Sequence, residues 1–257
     1  MQFSTLASGS SGNSFYIEED KKGILIDAGI SCKQIEQRLE LLGISIENIK
    51  ALFISHEHTD HVRGADVLSR KYSIPIYLNK KTFESCSHIF SNQELIRTKP
   101  SNFECDIGKL SIKSFSKSHD ANDPVSYTIK SKNKRISIIT DAGYCCSNII
   151  NNIKKADALM LESNHDTQML ENGKYPIYLK RRIQSDLGHL SNYDSALNVL
   201  EHAPKKLKNI SLSHLSLNNN TPDLAMKTFT SLLSERKDLN PDINLTFREK
   251  PTRLFKI

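Results

Sequence analysis

Hydrophobic and polar positions along the chain fall into two successive passes, each starting with strand-like segments and ending with helical ones. Residues 3–7, 14–18 and 23–26 read as short strands. They are divided by Ser8-Gly9-Ser10-Ser11-Gly12-Asn13 and by Asp20-Lys21-Lys22, both built of turn formers. Residues 32–42 change to helical spacing, with Ile35, Leu39 and Leu42 on one face, Ser31 placed to cap and Gly43 to stop. Residues 51–55 form a buried strand running straight into a histidine-rich segment; a helix over 61–72 and a strand over 74–78 follow. The second pass has strands at 110–115, 125–130 and 136–140, then a strand at 158–162 and a helix at 193–202. It closes with a strand at 207–213, a helix at 222–235 and a strand at 243–247. A mixed α and β chain with two sheets packed face to face, helices outside both, satisfies this order. No repeat, low-complexity segment or flexible linker interrupts it, so a single domain over 1–257 is expected.

Composition narrows the picture only a little. A chain of 257 residues, 38% hydrophobic and 25% charged, buries a sizeable core. No apolar run approaches the roughly 20 residues that span a bilayer, so no membrane partner is expected. Met1-Gln2-Phe3-Ser4-Thr5 lacks the basic region and apolar core of a secretory signal, which makes the cytoplasm the expected location. The five cysteines are odd in number and form no CxxC pair, which suits reduced thiols and not a disulfide framework or a zinc knuckle. The formal charge of +6 permits a polyanionic partner without requiring one.

The chemistry starts at His56-Glu57-His58-Thr59-Asp60-His61. In an extended segment, residues two apart point the same way, so His56 and His58 can aim at one ion. If the chain turns helical at Asp60-His61, those side chains face a second ion. Imidazole and carboxylate donors without thiolate suit zinc, manganese or iron and make a closed structural zinc site the poorer reading. The competing reading, a polar surface loop, leaves the clustering of three histidines around an acid unexplained. One segment cannot complete two metal sites, and further ligands are expected at the ends of later strands. His119, Asp141, His189 and His214 all occupy such positions.

These residues carry a resemblance. The histidine cluster, preceded by Leu25-Ile26-Asp27-Ala28-Gly29 and followed by His119, Asp141 and His214, resembles the metallo-β-lactamase-fold superfamily along nearly the whole chain. Ala7-Ser8-Gly9-Ser10-Ser11-Gly12-Asn13-Ser14, Leu161-Glu162-Ser163-Asn164-His165-Asp166, Gly188-His189-Leu190-Ser191-Asn192 and His214-Leu215-Ser216 are similar to its YycJ/WalJ/VicX group. The resemblance implies an α/β fold of four layers, an αββα sandwich of two mixed sheets flanked by helices. It implies two divalent ions, zinc or manganese. His56, His58 and His119 would hold one, Asp60, His61 and His214 the other, with Asp141 bridging. Asp27 would fix a histidine or the motif backbone. Cys145 and Cys146, just past Asp141, are read as packing residues.

The group resemblance further implies a DNA exonuclease acting from the 5′ end and linked to mismatch repair. In such an enzyme a hydroxide shared by two metals roughly 3.5–4 Å apart attacks the phosphodiester. Asp60 would orient that hydroxide, and His189 would protonate the leaving oxygen, as its counterpart does in the related tRNA 3′-processing nucleases. Ser11 and Asn13 in the Gly-rich turn, His165, Lys180, Arg181 and Asn192 are the candidate substrate contacts. Glu162 and His165 fit either a network supporting the site or direct contact. With no tryptophan and scattered tyrosines, the sequence offers no stacking platform for a single strand. Three rivals remain: a small-molecule hydrolase of a thioester or lactam, an RNA-processing nuclease, and an inactive scaffold. The last is disfavoured because every ligand position is filled.

Overall fold

Hydrogen bonding sorts the extended segments of the computed structural model, which describes residues Met1–Ile257, into two seven-stranded sheets. In chain order the strands begin with β1 (Gln2–Ala7), β2 (Ser14–Glu19), β3 (Lys22–Ile26), β4 (Ile49–Phe53) and β5 (Ile76–Asn79). Next come β6 (Ile96–Lys99), β7 (Glu104–Ile107), β8 (Leu110–Ser116), β9 (Val125–Ser131) and β10 (Lys134–Ile139). The last are β11 (Ala158–Glu162), β12 (Asn209–Ser213), β13 (Asp242–Leu245) and β14 (Phe255–Lys256). The sheet orders are β14-β1-β2-β3-β4-β5-β6 and β13-β12-β11-β10-β9-β8-β7. Both are mixed, as expected from the sequence: β1, β2 and β3 pair antiparallel, whereas β3–β6 and β10–β13 run parallel.

The chain divides into two compact units. The first comprises Met1–Ser116, Ala121–Asn133 and Phe247–Ile257. Its helices are α1 (Cys32–Leu41), α2 (Thr59–Val62), α3 (Ala65–Tyr72) and α4 (Lys80–Cys86). Ser31 caps α1 with a full capping box, its hydroxyl accepting from the Gln34 N–H. Ile35 and Leu39 on α1 and Leu68 on α3 join Leu6, Leu25, Leu52 and Ile76 of the strands in one buried cluster. Each such side chain contributes about 1.5–3 kcal/mol by leaving water. The helix expected over 61–72 is two helices instead. The break falls at Gly64, where a Cβ would stand 2.2 Å from the Ile30 carbonyl oxygen; backbone packing, not helix propensity, decides it.

The second unit comprises Lys117–Asp120 and Lys134–Thr246. It carries α5 (Ser147–Ile153), α6 (Thr167–Asn172), α7 (Ile177–Gln184), α8 (Asn192–His202) and α9 (Pro222–Leu233). Ser191 caps α8 and Thr221 caps α9, whose first residue is a proline with no N–H to leave unsatisfied. Ala196 and Val199 of α8, and Ala225 and Phe229 of α9, are buried with Leu159, Leu161 and Leu212 of the strands. Because β10, β11 and β12 are parallel and in register (Ile139 beside Leu161, Glu162 beside Ser213), their carboxyl ends share one edge. Parallel sheets in layered folds bind ligands at that edge.

Gly29 sits where the first unit can least tolerate a side chain, since a Cβ there would lie 1.6 Å from the Asp60 carbonyl oxygen. Gly29→Ala is therefore expected to destabilise the protein by at least the roughly 1–3 kcal/mol of an overpacked core. A thermal midpoint equal to wild type would contradict this.

Candidate metal centre

In the first unit, β3 and β4 run parallel with Ile26 beside Phe53, so Asp27 and the Ser55–His56 segment leave the sheet side by side. Asp27 is 1% exposed and anchors three groups. Its Oδ1 accepts the Ser55 N–H at 2.7 Å, and its Oδ2 accepts the Ser55 hydroxyl at 2.8 Å. The same Oδ2 lies 2.8 Å from Nδ1 of His61. A carboxylate at Nδ1 fixes the tautomer with the hydrogen there and turns Nε2 outward as a donor, a common arrangement behind metal-binding histidines. Asp27 thus fixes both a histidine and the motif backbone, as expected from the sequence.

The three imidazoles crowd together. Nε2 of His56 lies 3.1 Å from Nδ1 of His58, and the His56 and His61 ring centroids are 4.0 Å apart. Asp60 lies in the first turn of the short helix α2 beside His61, its Oδ2 3.5 Å from His61 Nε2. Asn13, fully buried, donates to Asp60 Oδ2 at 3.3 Å and approaches His61 Nε2 at 3.2 Å; its own oxygen accepts the Gly9 N–H. The Gly-rich turn is in this way joined to the histidine motif, with Ser11 exposed at its tip.

In the second unit the central group is Glu162, at the end of β11 and fully buried. Its Oε1 lies 2.8 Å from Nδ1 of His189 and 2.8 Å from Nδ1 of His214. Its Oε2 accepts the N–H groups of Ala142 at 2.7 Å and Leu190 at 3.4 Å. Burial works against the Glu162 carboxylate, yet the two facing imidazoles outweigh it and hold its pKa down at about 2. Burial likewise opposes charge on His189, but Glu162 and then Asp141 overcome it and raise its pKa. The two shifts agree: this carboxylate and imidazolium stabilise one another.

Asp141, Glu162, His189 and His214 bring one potential ligand atom each to within 4.8 Å of one another. His119, 4% exposed, lies with Nε2 4.0 Å from Asp141 Oδ1, while its Nδ1 faces the Gly188 carbonyl oxygen at 3.2 Å. Burial pushes the His119 pKa down to about 4, which favours the neutral imidazole that a metal needs. Nitrogen and oxygen donors, histidines oriented by carboxylates and deep burial fit a divalent cation and give no thiolate alternative. Cys145 and Cys146 form no disulfide, and burial raises the pKa of Cys145 to about 12.

Three site residues adopt the left-handed backbone that side chains rarely take: Asp27 at φ 60°, Asp141 at 55° and His214 at 58°. Each directly follows or closely follows the end of a strand, and such conformations concentrate at functional positions.

Other sequence candidates are placed differently. Asn192, 1% exposed, is bound by Ser163 and Asn220. His165, 2% exposed, lends its carbonyl oxygen to the Asn192 N–H, and burial lowers its imidazole pKa to about 4. Asn192 is thus held by the segment that follows Glu162, while Nδ1 of the buried His165 meets no hydrogen-bond partner. Lys180 is half-buried and Arg181 exposed, on α7. The anchoring role of Glu162 was left open by the sequence, because its histidine partners lie 27 and 52 positions away.

The metallo-beta-lactamase superfamily model matches residues 7–128 of the chain. Over 240 residues the chain is 39% identical to Exodeoxyribonuclease YycJ of Bacillus anthracis, the match covering 92% of this chain and 90% of that protein. Over 247 residues it is 40% identical to Exodeoxyribonuclease WalJ of Streptococcus pneumoniae, covering 91% and 88%. Among solved structures, the metallo-beta-lactamase fold protein YhfI from Bacillus subtilis aligns with a TM-score of 0.75 at 13% identity, over 99% of both chains. The short form of human tRNase Z aligns at 0.65 and 17% identity, over 98% of both. Fold and donor set together define a metallo-β-lactamase-fold protein. Within that superfamily the chain belongs to the YycJ/WalJ family.

If Asp27 and Glu162 orient ligands as the geometry indicates, Asp27→Asn and Glu162→Gln should each weaken metal affinity about 10–100-fold. Titration of the apoprotein with manganese or zinc measures this; unchanged affinity in both variants would refute the assignment.

Proposed function

We propose that this protein is a metal-dependent exodeoxyribonuclease holding two divalent ions, zinc or manganese, with its two units working as one metallo-β-lactamase-fold domain. The observation that carries the reading is the pair of carboxylate-anchored histidine sets, in a chain of a family whose curated relatives are exodeoxyribonucleases. His56, His58 and His119 are assigned to one ion, Asp60, His61 and His214 to the other, and Asp141 to both. Divalent ions held by such donors make water nucleophilic near neutral pH and offset charge on phosphoryl oxygens.

The remaining steps fall to the protein's own groups. Asp60 orients the attacking water. His189 is only 20% exposed in its side chain and is held at Nδ1 by Glu162, which leaves Nε2 to give a proton to the leaving 3′ oxygen. Its raised pKa keeps it protonated to higher pH than an ordinary histidine, as a general acid needs. Ser11 and Arg181, supported by Lys180, contact substrate phosphates, while Asn13, His165 and Asn192 brace the loops that present substrate to the centre. Cleavage of DNA from the 5′ end, in the cytoplasm and in the service of DNA repair, completes the reading. No helix is long and apolar enough to cross a membrane.

Chelation should abolish DNA degradation and added manganese or zinc should restore it; full activity in excess chelator would refute the reading. Single-turnover cleavage by His189→Ala should slow by about 10²–10⁴-fold. In the wild type, activity should fall as pH rises through the raised His189 pKa, because the acid form is then lost. That alkaline limb should vanish in His189→Ala; an unchanged rate and profile would remove His189 from the mechanism.

A further inference from the structure

No residue of α7 is buried. An eight-residue helix does not persist alone in water, where about 12–15 residues are marginal, so external tethers must hold it. Three are present. The Arg182 guanidinium pairs with Asp120, its Nε 2.6 Å from Oδ2. Lys180 donates from Nζ to the Glu171 carbonyl oxygen at 2.8 Å. The Ile183 carbonyl oxygen accepts the His189 N–H at 2.9 Å, which fastens the helix to the segment carrying the proposed general acid.

These tethers sort the basic run Lys180-Arg181-Arg182. Its outer members are engaged within the protein, and Arg181 is left at the surface. Residues three and four apart on a helix share a face, so Arg181 stands beside Ile177 and Tyr178. Those two are 68% and 74% exposed. Leu217, 72% exposed, follows closely on His214; the neighbouring Asn218 bonds the hydroxyl of Tyr175, just before α7, at 3.0 Å. The tethered helix therefore presents an aromatic ring, an aliphatic side chain and a guanidinium next to the segment that carries His189, and the segment after His214, joined to it through Asn218 and Tyr175, exposes a second aliphatic side chain.

We propose that this face is a platform for the single-stranded end of the substrate. Tyr178 stacks on a base, Arg181 pairs with the adjoining phosphate, and Ile177 and Leu217 flank the base. Single strands suit it because they offer flat apolar faces and anionic backbone at short alternating intervals, which aromatic and cationic side chains match. The stacking residue absent from the sequence pattern is supplied by Tyr178. The inference rests on the nuclease reading and adds that the strand entering the centre is unpaired.

The test uses the full chain with manganese, a 5′-phosphorylated single-stranded oligothymidylate, and bis(p-nitrophenyl) phosphate as a diester with no strand to guide. Tyr178→Ala and Arg181→Ala should raise KM for the oligonucleotide about tenfold, well beyond any change in kcat, and Tyr178→Phe should restore it. Circular dichroism and metal content establish that the variants are folded. Wild-type KM in both alanine variants, while wild-type protein degrades DNA, overturns the platform and leaves the nuclease reading intact. Unchanged KM with a drop in solution mass assigns the face to a second copy of the chain and also overturns it. If wild-type protein cleaves the small diester but no DNA, the nuclease reading itself falls.

Discussion

A fully buried carboxylate organises the second unit. Glu162 has no contact with water, and an ion in that position is costly unless its lone pairs are met by charge and hydrogen bonds. Two imidazole nitrogens and two backbone N–H groups meet them. Those four donors come from the segment after β10, the His189 segment and the end of β12. A single side chain thus ties together three loops that otherwise share no secondary structure. The parallel register of β10, β11 and β12 is what delivers all three to one edge, so sheet topology and site chemistry are a single constraint.

The first unit repeats the device on a smaller scale. Asp27 holds the Ser55 backbone, the Ser55 hydroxyl and His61. Asp27, Asp141 and His214 all bend into the left-handed region beyond their strands, and the conformation costs of order 1–3 kcal/mol at each. The strand pairing behind them and the hydrogen bonds ahead of them hold the backbone there. In both units a carboxylate settles which imidazole nitrogen carries hydrogen, and so which one faces the reactants. Carboxylates that orient imidazoles in this way are how a metal site gains affinity from its surroundings.

How much was legible follows from how local each signal is. The segment His56 to His61 could be read because its candidate donors lie within six residues of chain, and Asp27 could be read because it directly follows β3 in a motif on which the resemblance rests. The longer helices α1, α8 and α9 were readable from the sequence, α1 from its capping residue as well as its spacing. The edge strands β6 and β7 were not, being half-exposed and rich in charge. The helix α5 was not, because asparagines dilute its periodicity, and α7 was hidden because it has no buried face to create one. Glu162 stayed ambiguous for a different reason: only the pairing of Glu162 with Ser213 across β11 and β12 brings His214 to it. His165 and Asn192 stood out as polar motif residues; the structure buries Asn192 among the side chains of Ser163 and Asn220, and buries His165 with its Nδ1 meeting no partner, neither of which sequence spacing reveals.

The central claim is that these two anchored histidine sets serve stepwise removal of nucleotides from a DNA end. Product analysis tests it most directly: metal-reconstituted protein is incubated with strands labelled at the 5′ or the 3′ terminus, in DNA and RNA forms, with Asp141→Ala as the inactive control. The account predicts early release of the 5′ label from DNA as a mononucleotide, with the 3′ label retained on progressively shorter strands. Internal fragments from the outset, or no cleavage of any nucleic acid with either metal, would contradict it.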